Sequence, residues 1–352
     1  MIRRKMRAVI SGYYGKGNGG DEALLMSLLQ MLPSEIEPII LSANPRKTYE
    51  QYGVKTCPNR SAFPILETLT NADLFIWGGG SLMQDVTSLR SPIYYAGLMA
   101  LAQQKGLKTI AWAQGIGPLN NPFTRWLTRQ VLLGCTAVSV RDYKSAELVS
   151  KWHINPLIAP DPVWALTAKF VPGLADLPAP RVAVNLRSHP LLTPQRLKIL
   201  TQALIDFQKA TNTCLLLVPF QASQDLEIAR SIAKKLPGSY KIIQLENPRE
   251  LKGVFKGVEM TIGMRLHSLI MAASEECKCF ALSYDPKVNY LMEEIEIPGW
   301  DLGKLPSDPN VISTAWLEYF VNGEPLLKDR IQSLTDRAFM HQEILQKLIL
   351  NQ

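Results

Sequence analysis

The chain has 352 residues, of which 47% are hydrophobic and 20% are charged, and its formal net charge is +7. This composition is typical of a folded globular protein and excludes a disordered chain. The length is greater than one hydrophobic core usually supports, so we expect two domains. No apolar run reaches the roughly 18 residues that a membrane-spanning helix needs. The run after the basic segment Met1–Arg7 is also too short for a signal peptide, which predicts a cytoplasmic protein.

The positive charge limits the classes of partner. It fits nucleic acid, an anionic substrate or an anionic membrane surface. The basic residues are spread along the chain without a helix-turn-helix, zinc-finger or aromatic RNA-binding motif, so we expect no nucleic acid partner. Peripheral contact with the inner face of the membrane stays open, and the sequence does not fix the oligomeric state. The five cysteines are odd in number and lie mostly in apolar segments, which predicts free thiols and no metal site.

The first half of the chain alternates short β-rich runs with helical patterns. Strands are predicted at 7–10, 37–41, 72–77, 108–112 and 137–140, and helices at 20–32, 92–104, 123–133 and 143–152. Such alternation predicts a parallel sheet wrapped by helices. The segment 160–180 then holds five prolines without a clean period, and we interpret it as an interdomain linker.

The second half repeats the alternation and ends in a long amphipathic pattern. Strands are predicted at 181–186, 214–219, 240–245, 260–262 and 279–283, and helices at 194–210, 223–236, 248–255, 265–274 and 288–295. Domains are therefore expected at 1–165 and 181–322, and a helix over 324–349 in the segment 323–352 is expected to pack back across both. The fold class is α/β, with two Rossmann-like doubly wound domains and a ligand cleft between the carboxyl ends of their sheets.

A glycine-rich loop, Gly12–Asp21, follows the first strand and opens the first helix. Its five glycines let the backbone approach a ligand closely, and the helix N-terminus behind them favours negative charge. No Gly-Lys-Ser/Thr follows, which excludes a Walker loop, and the spacing does not match the dinucleotide-binding fingerprint. A plain turn capped by Asp21 would also fit. Asn18 and Asp21 together favour a binding role, since a carboxylate there can hold or deprotonate a substrate hydroxyl.

Two further strand ends in the first half carry candidate binding groups. Gly79, Gly80 and Ser81 come directly after a buried strand, where bare backbone amides can reach a ligand, although a flexible turn would give the same pattern. Arg141 ends a later strand. A guanidinium at the carboxyl edge of a parallel sheet can hold a carboxylate or phosphate through two hydrogen bonds.

The strongest pattern is Gly263–Ser268, which follows a strand and opens an apolar helix. Arg265 can hold an anion there, and the imidazole of His267 can exchange protons near neutral pH. Lys287 supplies a third cation after the next strand, where a simple Asp-Pro turn is the alternative. The remaining histidines lack such context and are interpreted as structural or surface residues: His153, His189 and His341.

In this order, the motifs resemble those of the polysaccharide pyruvyl transferase family, most closely its CsaB type. The resemblance rests on the glycine loop, on Trp-Gly-Gly-Gly-Ser-Leu from Trp77, on Ala-Gln-Gly-Ile-Gly-Pro from Ala113 and on Gly-Met-Arg-Leu-His-Ser from Gly263. It implies a glycosyltransferase-B-like pair of domains, with the acceptor on the N-terminal side and phosphoenolpyruvate on the C-terminal side. It also implies transfer of pyruvate as a ketal onto a sugar of a cell-surface polysaccharide, without a cofactor.

The resemblance also implies residue roles. The positions matching the family's donor-binding residues are Arg141, Arg265, Leu266, His267 and Lys287, and its acidic residue in the glycine loop is Asp21. Phosphoenolpyruvate carries a phosphate and a carboxylate, so its site needs several cations, which these positions supply. We expect His267 to act as the general acid and Asp21 to position or activate an acceptor hydroxyl. The implied acceptor is a lipid-linked glycan precursor.

Three alternatives stay open. A nucleotide-sugar glycosyltransferase would have the same two-lobed fold, but the only candidates for its ribose-binding acid are Glu275 and Glu276 at a helix end. A non-catalytic module for glycans or anions would keep the cations and could dispense with His267. A nicotinamide oxidoreductase is disfavoured because the fingerprint spacing and the ribose acid are missing.

Overall fold

The computed structural model describes residues 4–86 and 88–350. Within these ranges the chain divides into two compact units. Unit 1 contains the residues up to 16, residues 21–166 and the residues from 333 onward, and unit 2 contains residues 17–20 and 167–332. The chain therefore passes from unit 1 to unit 2 inside the proline-rich segment, and its last helical residues belong to unit 1 again.

Unit 1 is built on a parallel sheet. Its strands, within the described ranges, are β1 (Met6–Ser11), β2 (Ile36–Ser42), β3 (Lys55–Pro58), β4 (Leu74–Gly80), β5 (Lys108–Gln114), β6 (Ala137–Val140) and β7 (Leu157–Ile158). They pair in the order β3-β2-β1-β4-β5-β6-β7, and every pair is parallel. The chain thus starts at the centre, winds to one edge and then to the other, which is the Rossmann topology.

Helices join these strands, because parallel neighbours cannot be connected by a tight turn. They are α1 (Gly19–Met31), α2 (Pro45–Tyr52), α3 (Ala62–Thr70), α4 (Arg90–Gln104), α5 (Pro122–Leu133) and α6 (Tyr143–Ser150). Helices α3 to α6 pack on one face of the sheet around the buried side chains of Phe75 and Trp77. All seven residues of β4 are buried, which explains its continuous apolar sequence.

Strand β4 runs further than the sequence predicts. The strand is predicted to end at residue 77, but Gly78–Gly80 are its last three residues. Gly78 pairs with Trp112 and Gly80 with Gln114 of β5. Gly79 and Gly80 have φ angles of 88° and 90°, which L side chains rarely adopt. The glycines therefore let the strand bend while it keeps its pairing up to the residue before Ser81.

Unit 2 repeats the topology of unit 1. Its strands among the described residues are β8 (Arg181–Asn185), β9 (Cys214–Leu217), β10 (Tyr240–Ile242), β11 (Met260–Gly263), β12 (Lys278–Ser283) and β13 (Gly299–Asp301). They lie in the order β10-β9-β8-β11-β12-β13, again all parallel. Its helices are α7 (Pro194–Thr211), α8 (Ala222–Ala233), α9 (Pro248–Gly253), α10 (Leu266–Ser274), α11 (Pro286–Ile295) and α12 (Pro309–Asn322). The buried Trp316 of α12 meets Phe207 of α7 and Phe280 of β12 edge to face in the core.

The two parallel sheets confirm the predicted α/β fold class. The sequence analysis missed α2, β3, α3, β7, β13 and α12. In α2 only Thr48 is buried, and β3 is an edge strand with two exposed residues among four, so neither carries the apolar pattern on which prediction depends. None of the helices in the described part of the chain is long and apolar enough to cross a membrane.

The prediction of one terminal helix over 324–349 is wrong. The structure has α13 (Lys328–Ala338) and α14 (Met340–Leu350), separated at Phe339. The N–H of Gln342 donates to the carbonyl of Phe339, three residues earlier, so the helical hydrogen bonding tightens at this point. The chain returns to unit 1 earlier, at Ser333 inside α13.

Helix α14 is fixed within unit 1 by the fully buried His341. Its Nδ1 lies 3.0 Å from Ser139 Oγ, and its Nε2 lies 3.0 Å from the carbonyl oxygen of Pro160. Because Ser139 Oγ accepts the N–H of Ala113, its hydroxyl proton can go to Nδ1, which indicates a neutral imidazole with its proton on Nε2. The carbonyl of His341 accepts the indole N–H of Trp112. Burial lowers the pKa of His341 to about 4.

The buried His341 makes the free energy of unfolding depend on pH. Its folded pKa of about 4 lies below the ordinary 6.5, so the unfolded chain takes up the proton first as the pH falls. The stability that the neutral imidazole provides is fully present above pH 6.5 and is lost as the pH falls towards 4, by roughly 3 kcal/mol at most. Urea unfolding between about pH 7 and pH 4.5 should show this slope, and His341→Gln should flatten it. Identical slopes for both proteins would contradict the assignment.

Candidate functional site

Ligands of open α/β sheets bind beyond the carboxyl ends of the strands. In unit 2 the neighbouring strands β8, β11 and β12 are followed at this edge by Arg187, Arg265 and Lys287. Arg265 is the N-cap of α10, and Leu266 and His267 are its first two residues. The predicted donor residues of the second half thus lie at one edge, together with Arg187, which the sequence analysis missed.

Arg265 is buried, and Asp225 holds its guanidinium. Nε donates to Oδ2 at 2.8 Å, and Nη2 donates to Oδ1 at 2.6 Å. The same carboxylate accepts the backbone N–H groups of Phe220 and Gln221, and the N–H of Arg265 donates to Asn185 Oδ1. This bidentate pair fixes the plane of the guanidinium. The Nη1 group forms no hydrogen bond with any residue in the described ranges.

Arg187 approaches Arg265 through a shared acceptor. Its Nη1 donates to Tyr284 Oη and its Nη2 to Gln224 Oε1, both at 2.8 Å. Gln224 Oε1 also accepts from Arg265 Nη2 at 3.3 Å, so one amide oxygen joins two guanidinium groups. Arg187 forms no ion pair with any carboxylate that the structure describes, and its Nε is buried without a hydrogen bond. Only Arg265 of the two is therefore paired with a carboxylate, and the charge of Arg187 stays available to an anion.

His189 lies beside the arginine pair. Its ring packs against that of Tyr284 at a tilt of 51°, with 4.7 Å between the ring centroids. Burial, together with the charge of Arg187, lowers the pKa of His189, and Asp285 opposes the shift. The sequence held a signal for both residues, because Arg187-Ser-His189 follows β8 with the same Arg-x-His spacing as Arg265-Leu-His267 after β11. Interpreting His189 as a structural or surface residue overlooked this second copy.

His267 lies against the glycine loop, whose residues 17–20 belong to unit 2. A Cβ on Gly20 would lie 2.2 Å from His267 Nδ1, so this position has room only for glycine. The amide of Gly20 also donates to Asn18 Oδ1 at 3.1 Å. Asn18, a predicted binding residue, thus stabilises the start of α1, and the loop sets where the imidazole lies.

In unit 1, Asp21 lies beside the glycine end of β4. Its Oδ1 is 3.4 Å from the position of a Cβ on Gly80. Burial and, after it, the charge of Asp21 raise the pKa of Tyr14. The Tyr14 hydroxyl donates to the carbonyl of Gly78, and a Cβ on Gly78 would lie 2.1 Å from that hydroxyl oxygen. Gly78 is therefore needed to pack Tyr14, while Asp21 lies next to the Gly79–Gly80 segment that the sequence assigns to binding.

Arg141 is buried in unit 1 and carries its own counter-ion. Its Nη1 donates to Asp161, and its Nη2 donates to Ser81 Oγ at 3.0 Å. The side chains of Arg141 and Asp161 are each only 6% exposed. The positive charge of Arg141 is thus balanced inside the protein, in contrast to that of Arg187, and the donor-binding role of Arg141 stays a prediction.

Removing Arg187 should weaken anion binding by unit 2. In Arg187→Gln the site loses the charge that no carboxylate balances, so the affinity for inorganic phosphate should fall about tenfold or more. The measurement is the rise of the melting temperature with phosphate concentration. Lys198→Gln removes an exposed charge from α7 and is the matched control, for which we expect no change. Equal weakening in both variants would show that only the overall charge of the protein matters.

Solved structures resemble the whole chain. The UDP-GlcNAc 2-epimerase of Methanocaldococcus jannaschii matches with a TM-score of 0.67 and 11% identity, over 97% of this chain and 99% of that chain. The UDP-GlcNAc 2-epimerase of Neisseria meningitidis bound to UDP-GlcNAc matches with a TM-score of 0.65 and 8% identity, over 99% of this chain and 100% of that chain. A glycosyltransferase of Rickettsia africae matches with a TM-score of 0.55 and 14% identity, over 99% of this chain and 97% of that chain. At these identities the likeness shows the fold alone, which is glycosyltransferase-B-like as predicted.

Comparison at the level of sequence identifies the family. No curated protein matches the chain. The family described as polysaccharide pyruvyl transferase matches residues 18–286, a span that runs from Asn18 in the glycine loop to the first residue of α11 and includes both Arg-x-His strand ends. Because this span covers well over half of the sequence, the chain belongs to the polysaccharide pyruvyl transferase family.

Proposed function

We propose that this transferase takes the pyruvyl group of phosphoenolpyruvate, adds it as a ketal to a sugar of a cell-surface polysaccharide precursor and releases phosphate. The observation that best supports this proposal is the pair of guanidinium groups of Arg187 and Arg265, which Gln224 Oε1 joins and of which only that of Arg265 is paired with a carboxylate. Phosphoenolpyruvate carries a phosphate and a carboxylate, which are the groups that guanidinium binds best. Since Asp225 already fixes Arg265, the charge is oriented before a ligand arrives.

The proposed reaction has two steps at C2 of the donor. In the first, His267 gives a proton to C3, an acceptor hydroxyl oxygen bonds to C2, and the hydroxyl proton returns to His267. In the second, another hydroxyl of the same sugar bonds to C2 while the bond from C2 to the phosphate oxygen breaks. Phosphate leaves with the electron pair and takes the second hydroxyl proton. Asp21 positions the acceptor hydroxyl, and the acceptor is a lipid-linked glycan precursor, as in the CsaB type.

The test of this function is phosphate release from phosphoenolpyruvate, measured with and without a panel of lipid-linked and short synthetic amino-sugar acceptors. We expect acceptor-dependent release, with a mass gain on the acceptor that matches a pyruvate ketal. His267→Ala should lower kcat by roughly 10²-fold or more, because an acid–base group is lost. Full turnover in this variant, with unchanged pH dependence, would contradict the role of His267.

The position of His267 can be tested without removing it. In Gly20→Ala the new methyl group would lie 2.2 Å from Nδ1, so the imidazole must move, and we expect kcat to fall about 10²-fold with a smaller change in KM. Gly97→Ala is the matched control, because a Cβ at this exposed position in α4 meets nothing within 4 Å. The control should keep full activity and gain roughly 0.5–1 kcal/mol of stability. An unchanged kcat in folded Gly20→Ala would contradict the proposed role of the loop.

The alternative glycosyltransferase reaction needs a carboxylate for the ribose of its nucleotide donor. Glu275 is paired with Lys252 at 3.6 Å and with Lys256 at 3.8 Å, and Glu276 is paired with Lys328 at 3.3 Å. Both candidate acids are thus engaged by lysines, which favours the pyruvyl transfer. Release of a nucleoside diphosphate from a sugar donor, without turnover of phosphoenolpyruvate, would support the alternative.

A further inference from the structure

Large apolar side chains are exposed where α4 and α5 begin. Val86 and Leu89 lie just before α4, and Ile93 lies in its first turn. Phe123 and Trp126 lie in the first turns of α5, each 54% exposed, and their rings stack with centroids 6.0 Å apart. We call these five side chains the α4–α5 patch. Clustered exposed aromatic and aliphatic groups of this kind mark interaction surfaces more often than chance exposure does.

A single carboxylate holds the two halves of the patch together. Asp85, next to Val86, accepts the N–H groups of Asn120 and Asn121 at 2.9 and 2.7 Å, just before α5. It also accepts the hydroxyl of Thr124 at 2.7 Å. Asp85 is thereby tied to the start of α5, and α4 and α5 pack together. The patch is therefore a fixed surface of unit 1.

The segment that carries the patch contains no acidic residue after Asp85. Residues 86–141 contain no aspartate or glutamate, and their basic residues are Arg90, Lys105, Lys108, Arg125, Arg129 and Arg141. Arg141 is buried and paired with Asp161. The other five form no ion pair with any residue that the structure describes. Asp85 adds one negative charge beside the patch, and its three hydrogen bonds help to keep this carboxylate ionised. Arg90 begins α4 and Arg125 and Arg129 lie in α5, beside the aromatic and aliphatic side chains, whereas Lys105 and Lys108 lie beyond the last turn of α4.

We propose that the α4–α5 patch docks on an anionic lipid surface. Tryptophan and phenylalanine suit the boundary between headgroups and acyl chains, and arginines beside them attract anionic headgroups. A second copy of this chain is a poorer occupant, because a two-fold interface through the patch would bring Arg90 and Arg125 of both copies together. This inference rests on the surface alone and does not depend on the proposed reaction.

The α4–α5 patch lies near the edge of unit 1 at which candidate binding residues are found, so docking would affect how a substrate reaches that edge. Helices α4 and α5 begin at the carboxyl edge of the sheet of unit 1, the edge at which Ser81 and Arg141 lie. Docking through the patch brings that edge to the lipid headgroups. A substrate whose anchor is embedded in the bilayer would then meet unit 1 without leaving the membrane.

The experiment is flotation of the full chain with vesicles of phosphatidylcholine, alone or mixed with phosphatidylglycerol. We expect binding only to the anionic vesicles and weaker binding at high salt. The double variant Phe123→Ser with Trp126→Ser should bind about tenfold or more weakly. Arg90→Gln and Arg129→Gln should each weaken binding about fivefold. All variants change exposed or half-buried side chains, and their melting temperatures report whether they stay folded.

Two matched controls keep the test specific. Phe170→Ser removes a 72% exposed aromatic side chain from unit 2, and Lys198→Gln removes an exposed charge there. Both should bind anionic vesicles like the unchanged protein. No binding to anionic vesicles, equal binding to neutral ones, or equal loss in the controls would overturn the proposal. A concentration-dependent dimer that Trp126→Ser abolishes, without vesicle binding, would assign the patch to a second copy.

Discussion

The bidentate pair between Asp225 and Arg265 is the interaction on which the candidate site depends. Asp225 is fully buried at the start of α8, where it also accepts two backbone amides, so its position is set by the turn after β9. It fixes Arg265, and the preceding residue, Gln224, carries the oxygen that reaches Arg187. One turn at the sheet edge therefore orders two guanidinium groups. Breaking a buried pair of this kind by removing one partner typically costs 3–5 kcal/mol.

The two units use buried arginine differently, although their sheets share one topology. In unit 1, Arg141 is matched one to one by Asp161, which makes the pair electrically neutral and suited to hold the edge together. In unit 2, Asp225 is paired with Arg265 alone, so the edge keeps the charge of Arg187, which an anion can neutralise. Burial makes this excess costly for the free protein. Such a cost is expected at a site whose ligand supplies the missing negative charge.

The sequence was sufficient for the fold class and for the strand end Gly263–Ser268, because alternation and strand-end polarity are local patterns. It could not show that the counter-ion of Arg141 is Asp161, since that residue lies in the proline-rich segment 20 positions away. It also could not separate glycines that pack a side chain from glycines that face a ligand. Gly78 makes room for Tyr14, 64 residues earlier, and Gly20 makes room for His267. Arg187 had a local signal in the Arg-x-His spacing after β8, but its partners Gln224 and Tyr284 are distant in sequence and could not be foreseen.

The tie between α14 and unit 1 has a consequence for the order in which the chain folds during synthesis. The core of unit 1 needs Leu345 and the imidazole of His341, which come from the last 12 residues of the chain. Unit 2 has all its strands and most of its helices by residue 322. Domains usually fold as units as the chain emerges, first to last. Here the first domain to be translated is the last to be completed. Until His341 has been synthesised, the indole N–H of Trp112 and the carbonyl of Pro160 lack their native hydrogen-bond partner.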